Sequence, residues 1–60
     1  MTDNEKKTCD QVLEEGKLLR KVENTTTDGK HIVSYEVERK RLVFQMTQWD
    51  GEWVFWMMVA

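Results

Sequence analysis

The chain has 60 residues and a mass of 7.2 kDa, enough for one domain that buries only about 60% of the surface its unfolded form exposes. Nine basic against eleven acidic side chains give a net charge of -2, and a chain 40% apolar and 33% charged fits neither a disordered tail nor a membrane protein. One cysteine and one histidine exclude an internal disulfide and any metal site built on a His pair.

Residues 1–17 are mostly polar, with Cys9, Val12 and Leu13 as the internal apolar positions. They lack the apolar core of a signal peptide. Thr2-Asp3-Asn4-Glu5 has the form of a capping box, and Thr8 with Gln11 offers a second helix start. Cys9, Val12 and Leu13 fall on one helical stripe, and Gly16 is placed to cap the C-terminus. The pattern predicts a helix over about 3–15.

Two Asp-Gly pairs, Asp28-Gly29 and Asp50-Gly51, follow, each flanked by β-type sequence. Asp-Gly suits the two-residue type I′ hairpin turn, whose central residues both need positive φ. Midway between them stands Arg39-Lys40, which the even spacing marks as a third turn. The strands are then about 18–27, 30–38, 41–49 and 52–59. Folding at these turns sets Val22 against Tyr35, Tyr35 against Phe44, and Met46 against Phe55. Directly opposed residues share a face, so Leu18, Val22, Val33, Tyr35, Val37, Leu42, Phe44, Met46, Trp53, Phe55, Met57 and Val59 are expected on one inner face. The helix is expected to cover it. The fold class is α+β: a short N-terminal helix packed on a four-stranded antiparallel β-meander, one domain over 1–60. This layout resembles the cystatin-like one in architecture alone. The Gln-x-Val-x-Gly loop of that family is absent, so no residue role carries over.

The opposite face is expected to be uneven. Lys21, Glu23, Ser34, Glu36 and Glu38, with Leu19 and Ile32 among them, suit water. Val43, Gln45, Thr47, Trp49, Val54, Trp56 and Met58 leave the last strand apolar on both sides. An uncharged apolar edge strand without Pro is an aggregation hazard that native proteins cover. Trp is enriched at interface hot spots and Met adapts to irregular surfaces. Val43, Trp49, Val54, Trp56 and Met58 are therefore the expected protein interface. The partner is a second copy, joined through strand four and the outer face, a larger protein, or both.

The expected function is a non-catalytic protein–protein interaction module, homodimeric, of the inhibitor or adaptor kind that phages and mobile elements direct at larger host proteins. Acidic residues 3, 5, 10, 14 and 15 would let the helix imitate a nucleic-acid backbone towards such a target; a solvated helix face is the plainer account. The alternative is a small dimeric nucleic-acid-binding protein using Lys17, Arg20, Lys21, Arg39, Lys40 and Arg41. Against it stand the negative net charge and the carboxylates of Glu14, Glu15 and Glu38 at the same end. Nothing orients Cys9 and His31 as nucleophile and base, and Gly16, Gly29 and Gly51 stand singly, so no phosphate-cradling loop exists. No enzyme activity, cofactor or metal is expected. The terminal apolar run from Trp53 falls far short of the roughly 20 residues a membrane helix needs, and a lone cysteine suits a reducing cytoplasm.

Overall fold

A computed structural model describes residues 1–59. In chain order the elements are α1 (Asp3–Glu15), β1 (Lys17–Thr25), β2 (His31–Arg39), β3 (Leu42–Trp49) and β4 (Glu52–Met58). The strands form one antiparallel sheet in the order β1-β2-β3-β4, and α1 crosses one face of it. This is the α+β meander that turn spacing predicts.

The capping box opens α1 as its residues require. The Thr2 hydroxyl accepts the Glu5 N–H at 3.2 Å, and the Glu5 carboxylate accepts the Thr2 N–H at 3.0 Å. Two otherwise orphaned donors are satisfied reciprocally. The second candidate start is inside the helix, where the Thr8 hydroxyl donates back to the Asn4 carbonyl at 2.9 Å. Gly16 ends α1, its N–H donating to the Val12 carbonyl at 2.9 Å. Its φ of -84° is open to any residue, so conformational freedom is not what the position demands. Space is: a Cβ there would collide with Val37 Cγ1 and approach the carbonyls of Val12 and Glu38 to 2.7 and 2.9 Å. The helix end touches β2 backbone, and only a hydrogen fits between them.

The turns set the register, and two of the three depart from expectation. At the first, Thr26 N–H donates to the Lys30 carbonyl at 2.8 Å and Gly29 N–H to the Thr26 carbonyl at 3.0 Å. Gly29 has φ +89° while Asp28 keeps a negative one. The loop is thus Thr27-Asp28-Gly29, a turn closed by a left-handed glycine, held by the Thr26 hydroxyl, which bonds the Asp28 carboxylate and accepts the Lys30 N–H. One residue more than the predicted loop moves the pairing by one: Val22 lies against Ser34 and Lys21 against Tyr35. The middle turn is Lys40-Arg41, with φ +52° and +66°, one residue later than Arg39-Lys40. That shift moves partners by two and leaves every face unchanged. The third turn, Asp50-Gly51, has φ +51° and +86° as predicted.

Two β-bulges complete the corrections. β1 is irregular between Leu18 and Arg20, which restores Leu18 to a place opposite Val37. β4 carries Val54 as an extra residue, so Trp53 faces Gln48 while Phe55 faces Thr47 and Trp56 faces Met46. A bulge reverses the face of all that follows it. Phe55, Met57 and Val59, expected on the inner face, therefore lie on the outer one, as Val22 does through the longer first loop, and Trp56 and Met58 lie inside.

The core is small and lies over β2, β3 and β4. Cys9 and Val12 from α1 meet Val37, Met46 and Trp53, with Leu13, Tyr35, Phe44 and Trp56 packed around them. Tyr35 and Trp53 are 5.7 Å apart between ring centroids, Phe44 and Trp56 6.5 Å, within the tilted aromatic range. β1 contributes nothing buried: all nine of its residues are exposed.

Two outcomes follow. Gly16→Ala should destabilise by about 1–3 kcal/mol, the usual cost of overpacking, read as a lowered urea midpoint with an unchanged slope. Replacing Lys40-Arg41 with Asn-Gly should stabilise by about 1–2 kcal/mol, because Asn and Gly adopt the left-handed region more readily; thermal melting measures the gain.

Candidate protein interaction surface

The site begins with the way α1 is fastened to β4. Trp53 Nε1–H donates to Asp10 at 2.7 Å and Trp56 Nε1–H donates to Glu5 at 2.8 Å. An indole N–H turned towards a core needs such an acceptor. Residues three apart on a regular strand point to opposite faces; the extra residue at Val54 brings Trp53 and Trp56 to the same one. Lys6 adds an exposed ion pair to Glu52 at 3.2 Å, and Arg39 reaches Glu15 at the other end of the helix at 2.7 Å. Glu5 is held below its ordinary pKa, first by the Thr2 backbone N–H and then by the Trp56 indole.

With one face of the sheet engaged by α1, the other is left open. Cross-strand neighbours form rows on it. Val22, Ser34, Thr47 and Phe55 make one, Arg20, Glu36, Gln45 and Met57 the next. Ser34 and Thr47 hydroxyls are 3.3 Å apart and Gln45 donates to Glu36 at 3.4 Å, so the centre is polar and self-satisfied. A shallow depression of about 200 Å³ lies over it. Apolar side chains border this centre: Trp49 and Ile32 at one end, Val43 and Val59 at the other, Phe55 and Met57 along β4. Phe55 and Met57 keep 47% and 42% of their surface exposed, and Trp49 keeps 43%.

The five expected interface residues separate accordingly. Val43 and Trp49 are on the open face, and Val54 is the exposed extra residue of the bulge. Trp56 is not on that face: it is half-buried against Phe44 and bonded to the helix. Met58 follows it to the helix side, although it is exposed there beyond the reach of α1. Phe55, Met57, Val59 and Val22 are the open-face residues that plain alternation misses. The signal that finds the three on β4 is the Trp-x-x-Trp spacing read with two helix carboxylates able to accept from both indoles; Val22 follows from the longer first loop.

The basic residues do not form one patch. Lys17 lies opposite Glu38, Arg20 is on the open face, and Lys21 is on the other, 5.8 Å above the Tyr35 ring and 3.5 Å from Glu23. Arg39 is engaged by Glu15, leaving Lys40 and Arg41 at the tip of the middle turn. Glu5, Asp10 and Glu15 are likewise occupied by Trp56, Trp53 and Arg39, so the helix does not offer an unbroken acidic stripe. Cys9 is buried in the core, and burial raises its pKa; His31 is at the start of β2, 3.8 Å from Glu23. Among the described residues no three His, Cys, Asp or Glu side chains gather as a metal set, and no helix is long and apolar enough to cross a membrane. Comparison with family models, with curated proteins and with solved structures found no match.

The depressed Glu5 carboxyl has a pH signature. A folded-state pKa below the unfolded one contributes stability that is present above the ordinary Glu value and lost as pH falls through the folded value. Thermal stability should therefore decline on acidification below the ordinary glutamate pKa of 4.5, and Glu5→Gln should flatten that decline; melting curves between neutral and strongly acid pH measure it.

Proposed function

We propose that this protein is a non-catalytic protein-interaction module, an inhibitor or adaptor that docks the open face of its sheet on another protein in a reducing, cytoplasmic compartment. The observation that carries the reading is the border of Phe55, Met57, Val59, Trp49 and Val43 on a face that α1 leaves uncovered. Aromatic and methionine side chains are the types enriched at interfaces, and here they flank a polar centre that is already hydrogen-bonded. The chain is also too small to lose this area lightly: a single core of this size supplies about 3–5 kcal/mol, and covering two large apolar side chains contributes a similar amount. The partner is a second copy of the chain or a larger protein.

The scattered cations speak against the nucleic-acid reading, which needs Lys17, Arg20, Lys21, Arg39, Lys40 and Arg41 on one surface. A single experiment separates the two. Immobilised native protein, a Phe55→Lys/Met57→Lys variant and a Lys40→Ala/Arg41→Ala variant are compared for what they retain from an extract of the source cell. Protein retained by the native chain and by the turn variant, but reduced roughly tenfold by the open-face variant and indifferent to salt, supports the module. Retention of nucleic acid that follows Lys40 and Arg41 and falls steeply with salt overturns it.

A further inference from the structure

The two edges of the sheet are unlike. β1 presents Lys17, Arg20, Lys21 and Glu23 and is bulged at Leu19, devices that keep an edge from pairing. From Trp53 to Val59 the other edge has no charged side chain and no Pro. Its bulge is confined to Val54, so 55–59 run regularly beside β3. Val59 N–H donates to the Val43 carbonyl at 2.9 Å. Antiparallel alternation then turns the backbone groups of Phe55 and Met57 towards β3 and those of Trp56 and Met58 outward, along the free edge.

We infer that two copies of this chain pair antiparallel through their β4 edges, about a two-fold axis at Met57. The inference deepens the reading above, in which a second copy is one of the two partners. In this register the outward N–H and C=O groups of Trp56 meet those of the partner's Met58, and the reverse, while Met57 lies directly opposite Met57 of the partner subunit. On the open face Phe55 comes against the partner's Val59, an aromatic–β-branched pair of the kind that stabilises sheets. On the helix side Trp56 comes against the partner's Met58, a sulfur–aromatic contact. No like charges are opposed, whereas two β1 edges would bring lysines and an arginine together. The axis stands perpendicular to the sheet, so both helices lie on one side and the two open faces become continuous. The Phe55–Met57–Val59 strips then lie next to each other and double the apolar width available for a third protein. A ladder this short is at the small end of specific interfaces, below about 1,200 Å² in total, the size range of weak and transient pairing.

The test is light scattering after gel filtration, combined with disulfide trapping at about 10–100 μM, where a pair with a Kd of about 1 μM is mostly associated. The native chain should run at twice its 7.2 kDa mass. Met57→Cys should form a linked dimer under mild oxidation, because directly opposed residues in a pair without mutual hydrogen bonds have Cα atoms about 4.5 Å apart, within disulfide reach. Phe55→Cys should not, since its symmetry mate is four residues away along the strand, about 13 Å. Cys9 is buried and stays out of the exchange. Met58→Pro removes an outward N–H without breaking a β3 bond and should give a single copy with an unchanged circular dichroism spectrum; if that variant fails to fold, the trapping pattern decides. A native chain that remains a single copy overturns self-pairing and leaves the open face to its own test above. A native dimer that Met57→Cys does not trap, and that Phe55→Lys dissociates, overturns the edge geometry in favour of face-to-face packing.

Discussion

The structure depends on two indole–carboxylate hydrogen bonds, Trp53 to Asp10 and Trp56 to Glu5. They span five residues of helix, a rise of about 7.5 Å, and on β4 the two ladder positions opposite Gln48 and Met46, about 7 Å, so a helix lying along β4 meets both. Both indoles reach the helix only if β4 gains a residue between them, and Val54 is that residue. An extra residue in a strand leaves a local gap in its ladder. The two charge-assisted bonds and the burial of Trp53 against Met46, Cys9 and Val12 offset it. Everything beyond the bulge inherits the reversal, including the exposure of Phe55 and Met57. The arrangement of the open face is thus a consequence of how the helix is anchored on the opposite side.

This explains which parts of the fold were legible in the sequence. The capping box, the four strands, their order and the Asp50-Gly51 turn follow from local chemistry that needs no knowledge of packing. The faces of β2 and β3 follow too, because Val33, Tyr35 and Val37 alternate with Ser34, Glu36 and Glu38, and a slip would bury charge. β4 has no such contrast. Trp53, Phe55 and Met57 are as apolar as Val54, Trp56 and Met58, so either register satisfies the hydrophobic pattern. Only the polar handles of the two indoles break the tie, and their acceptors lie more than forty residues away in sequence. At the first turn the ambiguity is of another kind. Asp-Gly serves a two-residue loop or the end of a three-residue one equally well, and the Thr26 hydroxyl, by accepting the Lys30 N–H, selects the longer.

A helix of 13 residues covers one side of a sheet and only part of that side. It lies over β2, β3 and β4, which leaves β1 exposed along its whole length. β1 is composed for that position: its charges solvate it, Lys21 lies above the Tyr35 ring, and its bulge twists the free edge. β4 has the same topological status, the outermost strand of the sheet, and the opposite composition. Two edges of one small sheet therefore face the same problem, and only one is protected against pairing by its own side chains.

The strained middle turn fits the same distribution of charge. Lys40 and Arg41 both occupy left-handed backbone, which costs ordinary residues about 1–2 kcal/mol each, a considerable fraction of the stability available at this size. Hydrophobic burial cannot be the compensation, since both side chains are exposed. What the turn secures is register. It holds Arg39 on the helix side of β2, where the guanidinium reaches Glu15 at 2.7 Å, and it keeps Val37 opposite Phe44 beneath the close approach of Gly16. A turn one residue earlier would pair Val37 with Leu42 and move Phe44 along to Tyr35, without changing any face. The shift would be invisible to the hydrophobic pattern yet would move Met46 from its place opposite Tyr35 to one opposite Val33. The local backbone is therefore strained so that two aromatic side chains and one methionine meet under the helix.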